Sequence, residues 1–206
     1  MILIGDIHGL FHDYKQILKI YNIKKSLQLG DMGVGFSPEL VLDLNGIKGD
    51  HKFIRGNHDN PFVCREHPCY AGDYGIIEGD FIDGMFTKLF FVSGAWSIDK
   101  DLRTPDKDWW EEEELSYKDL SAAVNFYFKE KPDIVCTHDC PTSVLFELHR
   151  TVVPTRTAQA FDSMLLHHQP SYWFFGHHHM SWRKRIDGCM FVCLNELEVL
   201  NISKRI

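Results

Sequence analysis

Five short, mostly apolar runs in this chain each end abruptly in a cluster of Gly, Asp, Asn or His, and that repetition restricts the fold most. Residues 1–4 run into Gly5-Asp6-Ile7-His8-Gly9, residues 26–29 into Gly30-Asp31, and residues 52–54 into Arg55-Gly56-Asn57-His58-Asp59. Residues 134–136 run into Thr137-His138-Asp139, and residues 172–175 into Gly176-His177-His178-His179. Runs this short read as buried strands rather than helices. Between the first three lie residues 10–21, apolar at helical spacing, and residues 38–44, a second predicted helix with Ser37 as N-cap and Pro38 at its first position. The β-α-β-α-β order predicts a largely parallel sheet with right-handed crossovers. In such sheets ligands gather at the carboxyl ends of strands, which is where all five clusters stand.

The remainder continues the pattern. Strands are predicted over 75–78, 88–93, 190–194 and 197–202, and helices over 116–129 and 155–168. Residues 94–114 form a long irregular stretch carrying Trp96, Trp109 and Trp110, a length often given to lids. The acidic run 111–114 reads as a solvated turn leading into a helix. No internal repeat or linker interrupts the chain, so residues 1–206 read as a single domain.

Composition excludes several classes. Apolar residues make up 44% of the chain, yet no apolar run nears the ~20 residues that span a bilayer. Lys and Arg number 22 against 29 Asp and Glu, and the net charge of −7 argues against bulk nucleic-acid or membrane-surface binding. The opening residues do not read as a secretory signal, so a cytoplasmic location and reduced thiols are expected. The six cysteines lack any Cys-x-x-Cys and read as small buried apolar residues rather than a zinc cage.

The strand ends deliver Asp6, His8, Asp31, Asn57, His138, His177 and His179 to one edge. Oxygen and imidazole donors without thiolate suit a hard-to-borderline divalent metal. Seven groups exceed one tetrahedral site; with a shared carboxylate they fit two ions ~3.5–4 Å apart. Taken singly, Asp6 reads equally well as a helix cap and Asn57 as a turn residue.

Asp-x-His, Gly-Asp, Gly-Asn-His-Asp, a lone His, and Gly-His-x-His occur in that order from Asp6 to His179. The set resembles the calcineurin-like metallophosphoesterase superfamily. The resemblance implies an α/β fold, a four-layer sandwich of two mixed β-sheets flanked by helices. It implies that Asp6, His8 and His179 bind a first metal, Asn57, His138 and His177 a second, and that Asp31 bridges them. Manganese is the expected metal, with iron, zinc or nickel as alternatives. His58 would protonate the leaving oxygen, Asp59 would orient His58, and a metal-bridging hydroxide would attack the phosphate ester. Arg55 offers either a bidentate phosphate contact or a strand-end salt bridge. Trp96, Asp99 and Arg103 are candidate substrate contacts; Asp99 and Arg103 also stand at pairing distance in sequence. His178 is expected to point away from the metals.

The second motif, Gly30-Asp31-Met32-Gly33-Val34-Gly35, lacks the Asp and Arg of serine/threonine protein phosphatases, and His179 is present where they typically have none. Both departures point to the smaller bacterial- and phage-type phosphoesterases, many of which act on phosphodiesters. Arg55 keeps a protein phosphatase as the alternative. A nuclease and a non-catalytic scaffold rank lower. The basic triplet Arg183, Lys184 and Arg185 reads as a solvated hairpin edge.

Overall fold

Alternation of side chains along the strands divides the apolar residues into three cores, and the layers follow from that division. The computed structural model describes residues 1–82, 84–150 and 152–203. In chain order its elements are β1 (Ile2–Ile4), α1 (Phe11–Ile20), β2 (Lys25–Leu29), β3 (Asp50–Ile54), α2 (Pro61–Glu66), β4 (Tyr74–Ile82) and β5 (Met85–Val92). There follow α3 (Tyr117–Glu130), β6 (Ile134–Thr137), α4 (Thr142–His149), α5 (Arg156–His167), β7 (Tyr172–Phe175), β8 (Trp182–Ile186), β9 (Cys189–Cys193) and β10 (Val199–Asn201).

One sheet has the order β10-β1-β2-β3, with β1, β2 and β3 parallel and β10 antiparallel. The other has the order β4-β5-β6-β7-β9-β8, parallel from β5 to β9 and antiparallel at both edges. Leu3, Leu27 and Ile54 meet Leu89, Cys136, Phe174 and Val192 between the sheets. Ile4 and Phe53, on the outer face of the first sheet, pack against Tyr14 and Leu18 of α1 and Cys64 of α2. Val135, Trp173 and Phe175 face outward from the second sheet onto α3, α4 and α5. The fold is thus a mixed α/β sandwich: helices, sheet, sheet, helices.

Helix starts follow local chemistry. Asn60 accepts from the backbone N–H of Phe62 and Val63, with Pro61 at the first helical position of α2. Ser116 and Thr155 cap α3 and α5 in the same way. The helix expected over 38–44 does not form. Burial there alternates, with Val41 70% exposed while its neighbour Leu42 is buried, a period of two that no helix can satisfy. Ser37 Oγ donates to Glu39 instead of capping. The acidic run is also corrected: Glu113 and Glu114 are buried, and only Glu111 and Glu112 are exposed. His51 is buried on β3. The basic triplet lies on the exposed edge strand β8, with Lys184 paired to Glu147. Among the described residues no helix is long and apolar enough to cross a membrane.

Candidate metal centre

The carboxyl ends of β1, β2 and β3 meet those of β6 and β7 across the mouth of the sandwich. The backbone N–H of His177 donates to the Asp6 carboxylate at 3.1 and 3.2 Å, and His138 Nδ1 donates to the Leu29 carbonyl at 2.8 Å. These bonds join the two sheets at their active edge. To turn side chains into this space the backbone goes left-handed at four non-glycine positions, His8, Asp31, His177 and His179, with φ between 47° and 66°. That conformation costs ~1–2 kcal/mol per residue and is retained chiefly where function demands it.

Two donor groups result, and Asp31 belongs to both. In the first, His8 Nε2 lies 2.9 Å from His179 Nε2 and 3.8 Å from both Asp6 Oδ2 and Asp31 Oδ2; His179 Nε2 is 3.2 Å from Asp6 Oδ2. In the second, His138 Nε2 lies 3.2 Å from Asp31 Oδ1 and 3.3 Å from Asn57 Oδ1, with His177 alongside. The Asp31 carboxylate therefore turns one oxygen to each group. A Cβ on Gly56 would collide with Asp31 Oδ1, and one on Gly176 with Asp6 Oδ1. Glycine at both positions lets the backbone pass close behind the carboxylates. Buried carboxylates and amide, with imidazoles ranging from the buried His138 to the half-exposed His179, converge at separations that fit a pair of divalent ions.

Without an ion, the site balances part of its carboxylate charge with its own histidines. Burial opposes ionisation of Asp31, yet His138, His58 and His8 hold its carboxyl well below the usual range. Burial likewise opposes charge on His138, but Asp31 and Asp6 lift it to about 10. Burial and the nearby His138 push His177 down to about 3. A bound cation would displace the His138 proton and take over its charge-balancing role.

Three residues that the sequence reading did not reach complete the centre. Asn57 Nδ2 donates to Ser97 Oγ at 3.0 Å, and Ser97 Oγ donates to Glu113 Oε2 at 2.6 Å. Phe36 stacks on the His58 ring at 4.9 Å. A signal for Glu113 existed in the acidic run, but which glutamate turns inward is invisible in the sequence.

Two expected roles are corrected. Asp59 does not orient His58. Its carboxylate accepts from the backbone N–H of Met32, Gly33, Val34 and Gly56, clamping the loop after Asp31 to the turn before Asn57. Arg55 does not face the centre either. It is wholly buried, with Nε on Asp73 at 3.2 Å and a terminal nitrogen on the Glu113 carbonyl at 2.8 Å. The salt-bridge alternative describes it.

His58 Nε2 instead meets Arg103 at 2.8 Å. Because a guanidinium only donates, Nε2 is the acceptor and His58 is neutral. Burial and the Arg103 charge lower its pKa, with Asp31 opposing. Arg103 is in turn held by Asp99 at 2.8 Å, which ties up Asp99 as a substrate contact. Trp96 lines a cavity of about 500 Å³ together with His177, His178, His149 and Leu145. Trp110 is 2% exposed and packs against Phe36 rather than facing a ligand.

A family model described as calcineurin-like phosphoesterase matches residues 1–181. No curated protein matches the sequence. Among solved structures, the chain is similar to the phosphopantetheinyl hydrolase of Mycobacterium tuberculosis, at 13% identity and TM-score 0.53, covering 95% of this chain and 89% of that one. It is similar to a dimetal phosphatase of Danio rerio at 13% identity and TM-score 0.51, covering 96% and 88%. GAP50 of Plasmodium, described as the anchor in the inner membrane complex, matches at 11% identity and TM-score 0.52, covering 95% and 71%. At such identities the likeness is one of fold.

Proposed function

The chain belongs to the calcineurin-like phosphoesterase family, and we propose that it is a dinuclear, metal-dependent hydrolase of a phosphate ester, a phosphodiesterase or a broad-specificity phosphoesterase. The observation that carries this reading is the Asp31 carboxylate, which offers one oxygen to each of two donor groups. Asp6, His8 and His179 would hold one ion; Asn57, His138 and His177 would hold the other. Manganese suits these oxygen and imidazole donors. When bound, the two ions supply an activated water and neutralise the phosphoryl oxygens.

The chain's own residues supply orientation and a proton. The Arg103 fork stands over the Phe36 ring, 5.8 Å from its centroid, and against His58. A phosphate oxyanion competes with His58 for that fork. Once released, His58 Nε2, until then an unprotonated acceptor, can take up a proton from solvent and pass it to the departing oxygen. Phe36 and Arg103 take the positioning role first given to Asp59. Burial of Arg55 removes the feature that favoured a protein phosphatase. Residues 1–206 act as one domain in this reading. A cytoplasmic setting accords with six cysteines that are all free.

The test compares bis-p-nitrophenyl phosphate with p-nitrophenyl phosphate on manganese-reconstituted protein, beside His58→Asn. Diester hydrolysis is expected, lost on chelation. His58→Asn should keep its metal and lose turnover most with poor leaving groups. Activity that persists without metal would contradict the reading.

A further inference from the structure

Asp139, Cys140 and His178 form a second cluster that the phosphoesterase reading leaves unused. Beyond the ends of β6 and β7, His138 and His177 turn toward the candidate centre, while Asp139 and His178 turn toward each other. The His138 and His177 rings meet at 4.9 Å on the side of the candidate centre. Beside them, with its ring 4.9 Å from that of His177, His178 places Nε2 3.3 Å from Asp139 Oδ1 and 3.7 Å from Cys140 Sγ. All three donor atoms lie within 4.8 Å of one another.

These separations match a coordination polyhedron. Tetrahedral zinc, with bonds of ~2.0–2.3 Å, sets its nitrogen, oxygen and sulfur donors about 3.3–3.6 Å apart. The second nitrogen of the ring is also arranged for ligation: His178 Nδ1 is 3.1 Å from His149 Nε2. A ligating histidine typically passes its other N–H to such a partner, which leaves Nε2 bare for the metal. A hydrogen-bond chain from His149 through His178 to Asp139 accounts for the carboxylate. The same nitrogen also faces the Cys140 sulfur, a contact open to a thiol as a weak S–H donor and to a thiolate as a fellow metal ligand. All three side chains are nearly buried, and Cys140 is fully so.

We propose that Asp139 Oδ1, Cys140 Sγ and His178 Nε2 bind a single zinc-type divalent ion, distinct from the pair proposed above. Thiolate selects zinc over the manganese suited to the paired site. The fourth position opens onto the cavity of about 500 Å³ that Asp139 and His178 help to line. The ion ties the end of β6 to the end of β7, next to His138 and His177.

Cobalt(II) titration of the full chain tests this without any activity measurement. A sulfur-to-cobalt charge-transfer band in the near ultraviolet is expected, with the amplitude of one thiolate–cobalt bond per chain at saturation. Cys140→Ser should lose the band and bind one equivalent fewer, while Cys136→Ser keeps it. Should Cys140→Ser not fold, His178→Gln reports on the same site by weakening cobalt binding at the sulfur band at least tenfold. A wild-type protein without the band, or a band indifferent to both substitutions, overturns the proposal. The paired site contains no sulfur, so its failure removes other equivalents and leaves the band in place.

Discussion

The Asn57 amide nitrogen donates to Ser97 Oγ at 3.0 Å, and this bond decides which end of the Asn57 side chain faces His138. With the nitrogen committed to Ser97, only Oδ1 is left toward the candidate metal. Glu113 fixes the Ser97 hydroxyl in turn, accepting from both its Oγ and its backbone N–H.

Ser97→Ala should therefore weaken metal binding in the Asn57, His138 and His177 group by about 10–100-fold, the usual effect of losing a ligand's orienting partner. The Asp6, His8 and His179 group should hold its ion as before. Calorimetric titration with manganese resolves the two. Equal affinities in Ser97→Ala and wild type would show that Asn57 needs no such support.

Asp59→Ala deprives four backbone N–H groups of their acceptor. The expected loss is on the order of 3 kcal/mol in unfolding free energy, since buried orphaned donors are costly. Metal affinity should fall with it, because the loop carrying Asp31 and the turn carrying Asn57 come loose together. Urea melts and metal titrations on one preparation give both numbers. Full stability with a selective loss of turnover would restore the His58-orienting role.

Arg55→Met separates a phosphate ligand from a structural strut. Its partners are the Asp73 carboxylate, about one-third exposed, and the Glu113 carbonyl. Removal should cost roughly 2–3 kcal/mol of stability, below the full penalty of a sealed ion pair because Asp73 keeps some water. Inhibition by inorganic phosphate should stay within about twofold, as no bidentate contact is lost. A tenfold weaker inhibition constant would put Arg55 back among the substrate contacts.

His51 gives the folded chain an acid sensitivity away from the candidate metals. It is buried, with Nδ1 2.9 Å from Ser26 Oγ and Nε2 3.3 Å from the Lys48 carbonyl. Burial lowers its pKa below 6.5, with the Lys48 carbonyl opposing. The unfolded chain thus binds the proton more readily. The His51 contribution is complete above about pH 6.5 and is lost as pH falls through the lowered folded value. Urea unfolding of metal-free protein at about pH 7.5 and pH 5 should show a smaller drop for His51→Gln than for wild type. Equal drops would mean that other groups carry the acid sensitivity.

The strand ends and what they carry are legible in the chain's local pattern. Asp6, Asp31 and Asn57 follow short apolar strands of one sheet and His138 and His177 those of the other; parallel pairing aligns the ends within each sheet, and the packing of the two sheets brings the edges together. The start of α2 at Asn60-Pro61, not among the predicted helices, rests on equally local chemistry, a cap followed by proline. Residues 38–44 misled because Ser37-Pro38 imitates that same start while the leucines beyond it alternate. Only the tertiary structure decided where the charged groups between the motifs turn. Asp59 reaches back to the loop of another strand, Arg55 finds Asp73 and a carbonyl 58 residues along the chain, and Glu113 folds under Ser97. Strand periodicity is set by neighbours one and two residues away. A buried charge instead depends on a partner brought in by a distant loop, and no local pattern records which loop arrives.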